Sequence, residues 1–176
     1  MNLTEKTIAS EQIFSGKIIT VKRDTALLPN GEQAFREVVM HPGGVCVAAL
    51  TDKGEVLAVR QFRYPYSEVL LEIPAGKRDK SGEDPLECGK RELKEETGMY
   101  IVKIRDILAP SFSCTGVTDE KSVIVFCDID GKIEECKFPD EEIQAGLYTK
   151  EEVRKLLKEE CFSARTQTAC YLWAKE

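Results

Sequence analysis

Glutamates cluster in the segment GKRELKEETGM, residues 89–99, at spacings that would bring their side chains together on a helix. Because an α-helix advances about 100° per residue, Glu92, Glu95 and Glu96 would lie within about 100° of one another. Arg91 can pair with Glu95 four residues later. No comparable cation is in place for Glu92 and Glu96, whose mutual repulsion weakens a helix by about 0.2–0.5 kcal/mol. A hard divalent cation would relieve this repulsion. The spacing therefore indicates a carboxylate metal site, with a solvated acidic face as the alternative.

The composition limits the other chemistry open to this chain of 176 residues, which carries a formal net charge of −6. Since His41 is the only histidine, acidic residues must perform any acid–base or metal chemistry. Seven cysteines without a CxxC pair argue against a zinc site and for reduced thiols in the cytoplasm. The acidic balance argues against a nucleic-acid partner. We find neither an apolar run of about 20 residues nor a signal-peptide pattern, and we expect no membrane partner.

Strands are predicted where apolar and polar residues alternate or β-formers accumulate. Segments 17–28 and 34–40 flank the turn sequence PNG, and segments 45–50 and 56–62 flank TDKG, so each pair is predicted to form a hairpin. Further strands are predicted at 68–73, where the sequence PAG ends the strand, and at 101–108, 121–129 and 142–148.

Three helices are predicted between and after these strands. The first covers residues 84–97, with Pro85 in its first turn and Gly98 just beyond its end. The second opens with a capping box at Thr149–Glu152, and the third covers roughly 164–175. Strands interrupted by helices predict an α/β fold, a mixed sheet with helices on both faces, rather than a sandwich of two sheets.

The glutamate cluster also belongs to a longer pattern. The chain resembles the Nudix hydrolases through their signature G-x5-E-x7-R-E-U-x-E-E-x-G-U, where U is bulky and apolar. The matching residues are Gly76, Glu83, Arg91, Glu92, Leu93, Glu95, Glu96, Gly98 and Met99. Six residues instead of five separate Gly76 from Glu83, which leaves the role of Glu83 open. The extra residue lies in a turn, where insertion is cheap, so the helix stays in register.

The resemblance implies a Nudix α/β/α sandwich. It also implies hydrolysis, with Mg²⁺ or Mn²⁺, of a nucleoside diphosphate linked to another moiety. By position, Glu92 and Glu96 correspond to the principal metal ligands. Glu95 corresponds to a further ligand or to a group tied to Arg91. Both Glu95 and Glu96 are therefore catalytic candidates. In the ADP-ribose branch of the family, the carbonyl before the signature glycine also coordinates metal, which assigns this role to Ala75.

Other segments resemble the ADP-ribose pyrophosphatase branch, and together they span most of residues 15–125. They are LPNGEQAFREVVMHPGGV, RQFRYP, LEIPAGK, GEDPLECGKREL and SFSCTGVTDEK. Members of this branch are homodimers whose N-terminal sheet helps to build the partner's site. The resemblance thus implies a homodimer, with residues 1–42 as a β-hairpin extension for dimerisation and residues 43–176 as the Nudix hydrolase domain.

The same branch suggests which residues contact the substrate. Bidentate arginine contacts suit a diphosphate. Arg63 and Arg36 match positions that lie at or near the substrate phosphate, with an ordinary surface arginine as the alternative for each. Glu72, just before the sequence IPAG, is a candidate for contact with the substrate or with metal-bound water, and a strand-end acid is the equal alternative.

A loop after the signature supplies a glutamate in this branch, as general base or as an added ligand. Alignment on the strand EIQAGLY assigns this role to Glu141, with Asp140 and Glu142 as rivals. The expected activity is Mg²⁺-dependent hydrolysis of ADP-ribose, a small nucleoside diphosphate substrate, to AMP and ribose 5-phosphate in the cytoplasm. The alternatives are hydrolysis of a nucleotide sugar such as GDP-mannose and a non-catalytic nucleotide-binding Nudix module.

Overall fold

The computed structural model describes residues 2–78, 82–136, 142–160 and 162–175. Across these ranges the chain forms strands β1 (Lys6–Ser15), β2 (Thr20–Leu27), β3 (Gln33–Met40), β4 (Gly44–Leu50), β5 (Val56–Arg63), β6 (Glu68–Glu72), β7 (Ala75–Lys77), β8 (Tyr100–Ile107), β9 (Ser111–Phe112), β10 (Lys121–Asp130) and β11 (Ile143–Tyr148), and helices α1 (Pro85–Thr97), α2 (Lys150–Glu159) and α3 (Ala164–Lys175). None of these helices is both long and apolar enough to cross a bilayer.

The chain divides into two compact units. The first, which we call the N-terminal unit, comprises Met1–Gly43 and Phe112–Lys121. The second, which we call the core unit, comprises Gly44–Ser111 and Ser122–Glu176. The sequence analysis divided the chain into a dimerisation extension, residues 1–42, and a hydrolase domain, residues 43–176. That division stays a prediction, because compactness alone does not assign a function to either unit.

The N-terminal unit contains an antiparallel sheet in which β2 lies between β1 and β3. The hairpin predicted at 17–40 is confirmed, and its turn is closed by a 2.8 Å hydrogen bond from the Leu28 amide to the Glu32 carbonyl. Strand β1 was not predicted. Its pairing with β2 shifts register between Thr7 and Ala9 and again between Gln12 and Phe14, and each shift breaks the two-residue period that would reveal a strand in the sequence.

The core unit is built on a mixed sheet with the strand order β11-β5-β4-β10-β8. Strands β4 and β10 run parallel, whereas β4 with β5 and β5 with β11 run antiparallel. The predicted second hairpin is present, since Leu50 pairs with Val56, but β5 then diverges to pair with β6. The freed edge of β4 pairs with β7. The sequence prediction missed β7, because it took the residues PAG only as the end of the preceding strand.

Helices cover both faces of this sheet, which confirms the predicted α/β/α sandwich. Alternate side chains of β4 point to opposite layers. One set packs with α1, as shown by the cluster Val45, Val47, Ala49, Cys88 and Leu93. The other set packs with α2 and α3, as shown by the cluster Cys46, Ala48, Leu50, Val153, Cys170 and Trp173. Helix α1 approaches β4 closely at Gly89, where a Cβ would lie 3.2 Å from Val47 Cγ2.

Local signals set the ends of the helices as predicted. Asp84 accepts hydrogen bonds from the amides of Leu86 and Glu87 at the start of α1, and Gly98 ends the helix in the left-handed conformation with φ of 77°. The capping box at the start of α2 is formed by Thr149 and Glu152. These ends fix where along α1 the glutamates fall.

Candidate active site

Helix α1 buries two of its glutamates. Glu92 is 6% exposed and Glu96 is 5% exposed, whereas Glu95 is about a third exposed. Leu93 and Thr97, on the opposite side of the helix, are fully buried. A solvated acidic face would leave the carboxylates in water, since charged groups are costly to bury without partners. The burial of Glu92 and Glu96 therefore argues against that alternative.

Arg91 connects the carboxylates of this segment. One of its Nη atoms lies 2.7 Å from Glu92 Oε1 and 3.0 Å from Glu95 Oε2. The sequence had paired Arg91 with Glu95 and left Glu92 without a cation, so for Glu92 that expectation was wrong. Side chains one residue apart on a helix do not face each other, so the spacing gives no sign of this contact. The arginine side chain is long enough, however, for its guanidinium to reach the carboxylate of the next residue. Hydrogen bonding, chiefly to Glu83, raises the pKa of Arg91, so this residue remains charged.

Glu83 also contacts Arg91 despite the inserted residue before it. Nε and the second Nη of Arg91 each lie 3.2 Å from a carboxylate oxygen of Glu83. The backbone at this point is held as well, because Arg78 donates to the Glu83 carbonyl from Nε at 3.1 Å and from Nη2 at 2.6 Å. The insertion therefore does not keep Glu83 from contacting α1.

Strand β7 brings the backbone of Ala75 and Gly76 against α1. An ideal Cβ at Gly76 would overlap with Cγ, Cδ and Oε1 of Glu92, so the Glu92 carboxylate occupies the space that any larger residue at position 76 would need. This contact explains why a glycine stands at this position. It also places the Glu92 carboxylate beside the peptide that follows Ala75.

The predicted substrate residues Arg63 and Glu72 contact each other. Nε of Arg63 lies 2.6 Å from Glu72 Oε2, in a pair formed across neighbouring strands β5 and β6. Glu72 is buried, and the side chain of Arg63 is about a third exposed. A buried carboxylate that anchors a partly exposed guanidinium restricts the rotamers of the arginine and so prepares it to contact an anion.

The remaining predicted residues are Arg36, Asp140, Glu141 and Glu142. Arg36 belongs to the N-terminal unit, where its Nε and Nη2 lie 2.9 and 2.7 Å from the two carboxylate oxygens of Glu5. This pairing raises the pKa of Arg36 and lowers that of Glu5. Asp140 and Glu141 lie outside the described residues, and Glu142 is exposed.

The donor chemistry of α1 and β7 fits a hard divalent cation. Within the described residues, no three His, Cys, Asp or Glu side chains are grouped to hold a metal ion. Mg²⁺ does not need such a cage, because it is commonly held by one or two carboxylates together with water and substrate phosphates. Glu92, Glu96 and a backbone carbonyl supply suitable oxygens. The nearby thiol of Cys88 does not compete, because burial raises its pKa to about 12 and keeps it protonated.

Two contacts near the site were not foreseen from the sequence. Arg78 directly follows β7, and no sequence pattern indicated its contact with Glu83. Thr166, at the start of α3, accepts a hydrogen bond from the Ile73 amide, and 93 residues separate the two. No local pattern reports a contact at that separation, since it depends on how α3 packs on the sheet.

Comparison with known proteins identifies the chain's relatives. Residues 40–167 match the family model of the NUDIX domain, and residues 5–39 match that of the nucleoside diphosphate sugar hydrolase N-terminal domain. An ADP-ribose pyrophosphatase from Bacillus subtilis is 41% identical over 99% of this chain and 96% of its own length. A methanol dehydrogenase activator from Bacillus methanolicus is 50% identical over 66% of this chain and 62% of its own length.

A solved structure shares the fold. A crystal structure of an ADP compounds hydrolase superposes with a TM-score of 0.82 over 99% of this chain and 95% of that chain, at 20% sequence identity. The family model and the Bacillus subtilis relative confirm, over most of the chain, the resemblance inferred from the signature. This chain belongs to the Nudix hydrolase family.

Proposed function

We propose that this protein hydrolyses the diphosphate of ADP-ribose to AMP and ribose 5-phosphate with Mg²⁺, or with Mn²⁺ as a substitute. The observation that carries the proposal is the burial of Glu92 and Glu96 beside the Ala75–Gly76 backbone, in a chain 41% identical to an ADP-ribose pyrophosphatase. Carboxylate and carbonyl oxygens are the ligands that Mg²⁺ prefers, and a bound Mg²⁺ would neutralise the charge of the phosphates during hydrolysis.

Each site residue has a distinct task in this proposal. Glu92, Glu96 and the Ala75 carbonyl would hold the divalent cation, with Glu95 as a further ligand or as the group that steadies Arg91. When bound, the cation supplies positive charge to the diphosphate and makes a nearby water more acidic. Arg63, braced by Glu72, orients the phosphates.

The chemical step breaks one phosphorus–oxygen bond of the diphosphate. A water oxygen attacks phosphorus, the bridging oxygen leaves with the other phosphate, and the water proton passes to a loop carboxylate, for which Glu141 is our candidate. A positioned general base typically contributes 10²–10⁴-fold to the rate, so we expect substitution of Glu141 to slow turnover by a factor in that range. Arg36 remains a proposed substrate contact.

A nucleotide sugar such as GDP-mannose is the alternative substrate, and one observation favours it. Residues 5–39 match the model named for nucleoside diphosphate sugar hydrolases. A hydrolysis panel with Mg²⁺, comparing ADP-ribose, GDP-mannose, NADH and diadenosine polyphosphates, decides between them. We expect ADP-ribose to be cleaved fastest. Faster cleavage of GDP-mannose would reject the substrate and keep the metal mechanism.

The metal site is tested by Glu96→Gln. We expect turnover to be abolished while the circular dichroism spectrum and the melting temperature stay close to those of the parent. Glu87→Gln is the matched control, since Glu87 lies exposed on the same helix and pairs with Lys90. Turnover of Glu96→Gln within threefold of the parent would show that the site has been misplaced, and a non-catalytic module would show no turnover in the parent either.

We further propose a homodimer and a cytoplasmic location. The dimer is supported by the apolar side chains exposed on the N-terminal unit, among them Ile13, Phe14 and Phe35. The location is supported by the described cysteines, which form no disulfide with one another: Cys46, Cys88, Cys114, Cys127, Cys136 and Cys170.

A further inference from the structure

The segment Ile73–Pro74 joins β6 to β7 and carries a proposed site residue on each side. Glu72, which braces Arg63, precedes it, and Ala75, whose carbonyl is a proposed metal ligand, follows it. Two backbone contacts tie this segment to β4, because the Val47 amide donates to the Pro74 carbonyl at 2.8 Å and Ala75 pairs with Cys46. Small movements of the segment would displace both site residues together.

A third contact comes from a side chain of α3. The Ile73 amide donates to Thr166 Oγ1 at 3.2 Å, and both residues are about 1% exposed. An amide buried this deeply has no water to bond to, so removal of its acceptor leaves the amide unsatisfied or forces the backbone to shift. The Thr166 hydroxyl is therefore needed to keep the Ile73 backbone in its present position.

The hydroxyl of Thr166 is itself held in place by the cap of α3. Its Oγ1 lies 2.9 Å from Ser163 Oγ, and either hydroxyl can donate in this contact. Ser163 Oγ also accepts from the Thr166 amide at 3.3 Å, and the Ser163 carbonyl accepts from the Gln167 amide at 2.9 Å. These hydrogen bonds at the start of α3 therefore restrict the orientation of the hydroxyl that contacts Ile73.

We propose that Thr166 is a positioning residue for the metal site. Through the Ile73 amide it sets the backbone that presents the Ala75 carbonyl and the Glu72 carboxylate, and it touches neither substrate nor metal. The inference rests on the proposed function, since it takes Ala75 as a ligand. A displacement of about 1 Å in a positioned group can lower the rate by about 10²-fold. Loss of the Thr166 hydroxyl is therefore expected to have a large effect, although Thr166 does not contact the reacting groups.

The test is the affinity for Mn²⁺, measured by electron paramagnetic resonance without substrate. Thr166→Val removes the acceptor and keeps the shape, and we expect Mn²⁺ to bind about 10-fold more weakly or worse, the range typical for groups that orient metal ligands. Thr166→Ser keeps the hydroxyl and is expected to restore the affinity. Thr168→Val is the matched control, since the exposed Thr168 hydroxyl donates only within α3, to the Ala164 carbonyl.

Parental Mn²⁺ affinity in a folded Thr166→Val protein would overturn the inference. If that variant does not fold, Ser163→Ala takes its place, because it removes the hydroxyl that holds Thr166 and leaves Thr166 present. A weaker Mn²⁺ affinity of Ser163→Ala then supports the inference, and a parental affinity overturns it.

Failure of this inference is distinguishable from failure of the proposed function. If Glu96→Gln loses Mn²⁺ binding and Thr166→Val keeps it, the metal site stands and the role of Thr166 is rejected. If Glu96→Gln binds Mn²⁺ as the parent does, the proposed metal site itself is rejected.

Discussion

At the scale of single residues, the charge of Arg91 offsets part of the free-energy cost of burying the neighbouring carboxylates. Its guanidinium contacts Glu83, Glu92 and Glu95 at distances between 2.7 and 3.2 Å. Removing one partner of such a network leaves a buried charge uncompensated, which is strongly destabilising. The Glu92 carboxylate is thus paired with Arg91, and in the proposed mechanism it would also help to hold the divalent ion.

Gly76 provides a prediction at this scale. In Gly76→Ala the new methyl group would occupy the place of the Glu92 carboxylate, which would have to rotate away from β7. We expect kcat/KM to fall by about 10²-fold, because a ligand is displaced. We expect the melting temperature to fall as well, because the overlap includes Cγ and a rotated Glu92 side chain would lose its buried contact with Arg91.

Steady-state kinetics at several Mg²⁺ concentrations, together with thermal melts, measure both effects. Gly116→Ala is the control, since an added Cβ there meets nothing within 4 Å. Full activity of Gly76→Ala at every Mg²⁺ concentration would show that the position of Glu92 does not matter for the reaction.

At the scale of elements, caps determine where helices begin and end. The capping box of α2 joins Thr149 and Glu152 in both directions. Glu152 Oε2 accepts from the Thr149 amide at 2.8 Å and from its hydroxyl at 2.9 Å, and Thr149 Oγ1 accepts from the Glu152 amide at 3.3 Å. The hydrogen bond from the backbone amide is the main reason why the pKa of Glu152 lies below its usual value of 4.5.

The lowered pKa predicts how the box depends on pH. A carboxyl whose pKa is lower in the folded state contributes stability above its unfolded pKa and loses it as the pH falls through the folded value. We therefore expect the difference in free energy of unfolding between the parent and Glu152→Ala to be constant near neutral pH and to shrink below pH 4.5.

Urea unfolding across this pH range measures the difference. Glu152→Gln keeps an acceptor oxygen and cannot titrate, so its stability relative to Glu152→Ala should not vary with pH. A parent-to-alanine difference that is unchanged below the usual glutamate pKa would show that the Glu152 charge does not support the cap.

At the scale of the whole molecule, the two units differ in how much apolar surface they bury. The core unit has a well-packed sheet covered by helices on both faces. In the N-terminal unit every residue of β1 is exposed, and the exposed side chains include Ile8, Ile13 and Phe14. Apolar surface concentrated on one strand is typical of an interaction surface, and a second copy of this chain is the partner we propose.

The homodimer is tested by a charge on this strand. Ile13 is 52% exposed, so Ile13→Asp costs little within one chain but buries a carboxylate if the strand lies in an interface. We expect the parent to sediment as a dimer and Ile13→Asp to shift toward monomer in analytical ultracentrifugation. Leu172→Asp is the control for the substitution itself, because the Leu172 side chain of α3 is also exposed, at 43%. A monomeric parent at micromolar concentration would reject the dimer.

The sequence was sufficient for features that depend on neighbouring residues. Turn residues, caps and the period of apolar side chains act over a few positions, so the β2–β3 hairpin, the ends of α1 and the grouping of Glu92, Glu95 and Glu96 on one helix could all be predicted. The family could be recognised for the same reason, because its signature is one continuous stretch. Strand β1 escaped prediction where its bulges interrupt the period.

Contacts between segments that are distant in the sequence could be identified only in the folded structure. The overlap of Gly76 with the Glu92 carboxylate, the pairing of Arg63 with Glu72 and the hydrogen bond from Ile73 to Thr166 join different elements. The pairing of Arg63 with Glu72 depends on how β5 pairs with β6, and the other two contacts depend on how helices pack on the sheet, which sums many weak contacts over the whole core. Local pattern therefore indicated which residues could bind a metal, while tertiary packing decided that Glu92 and Glu96 are buried and what holds them there.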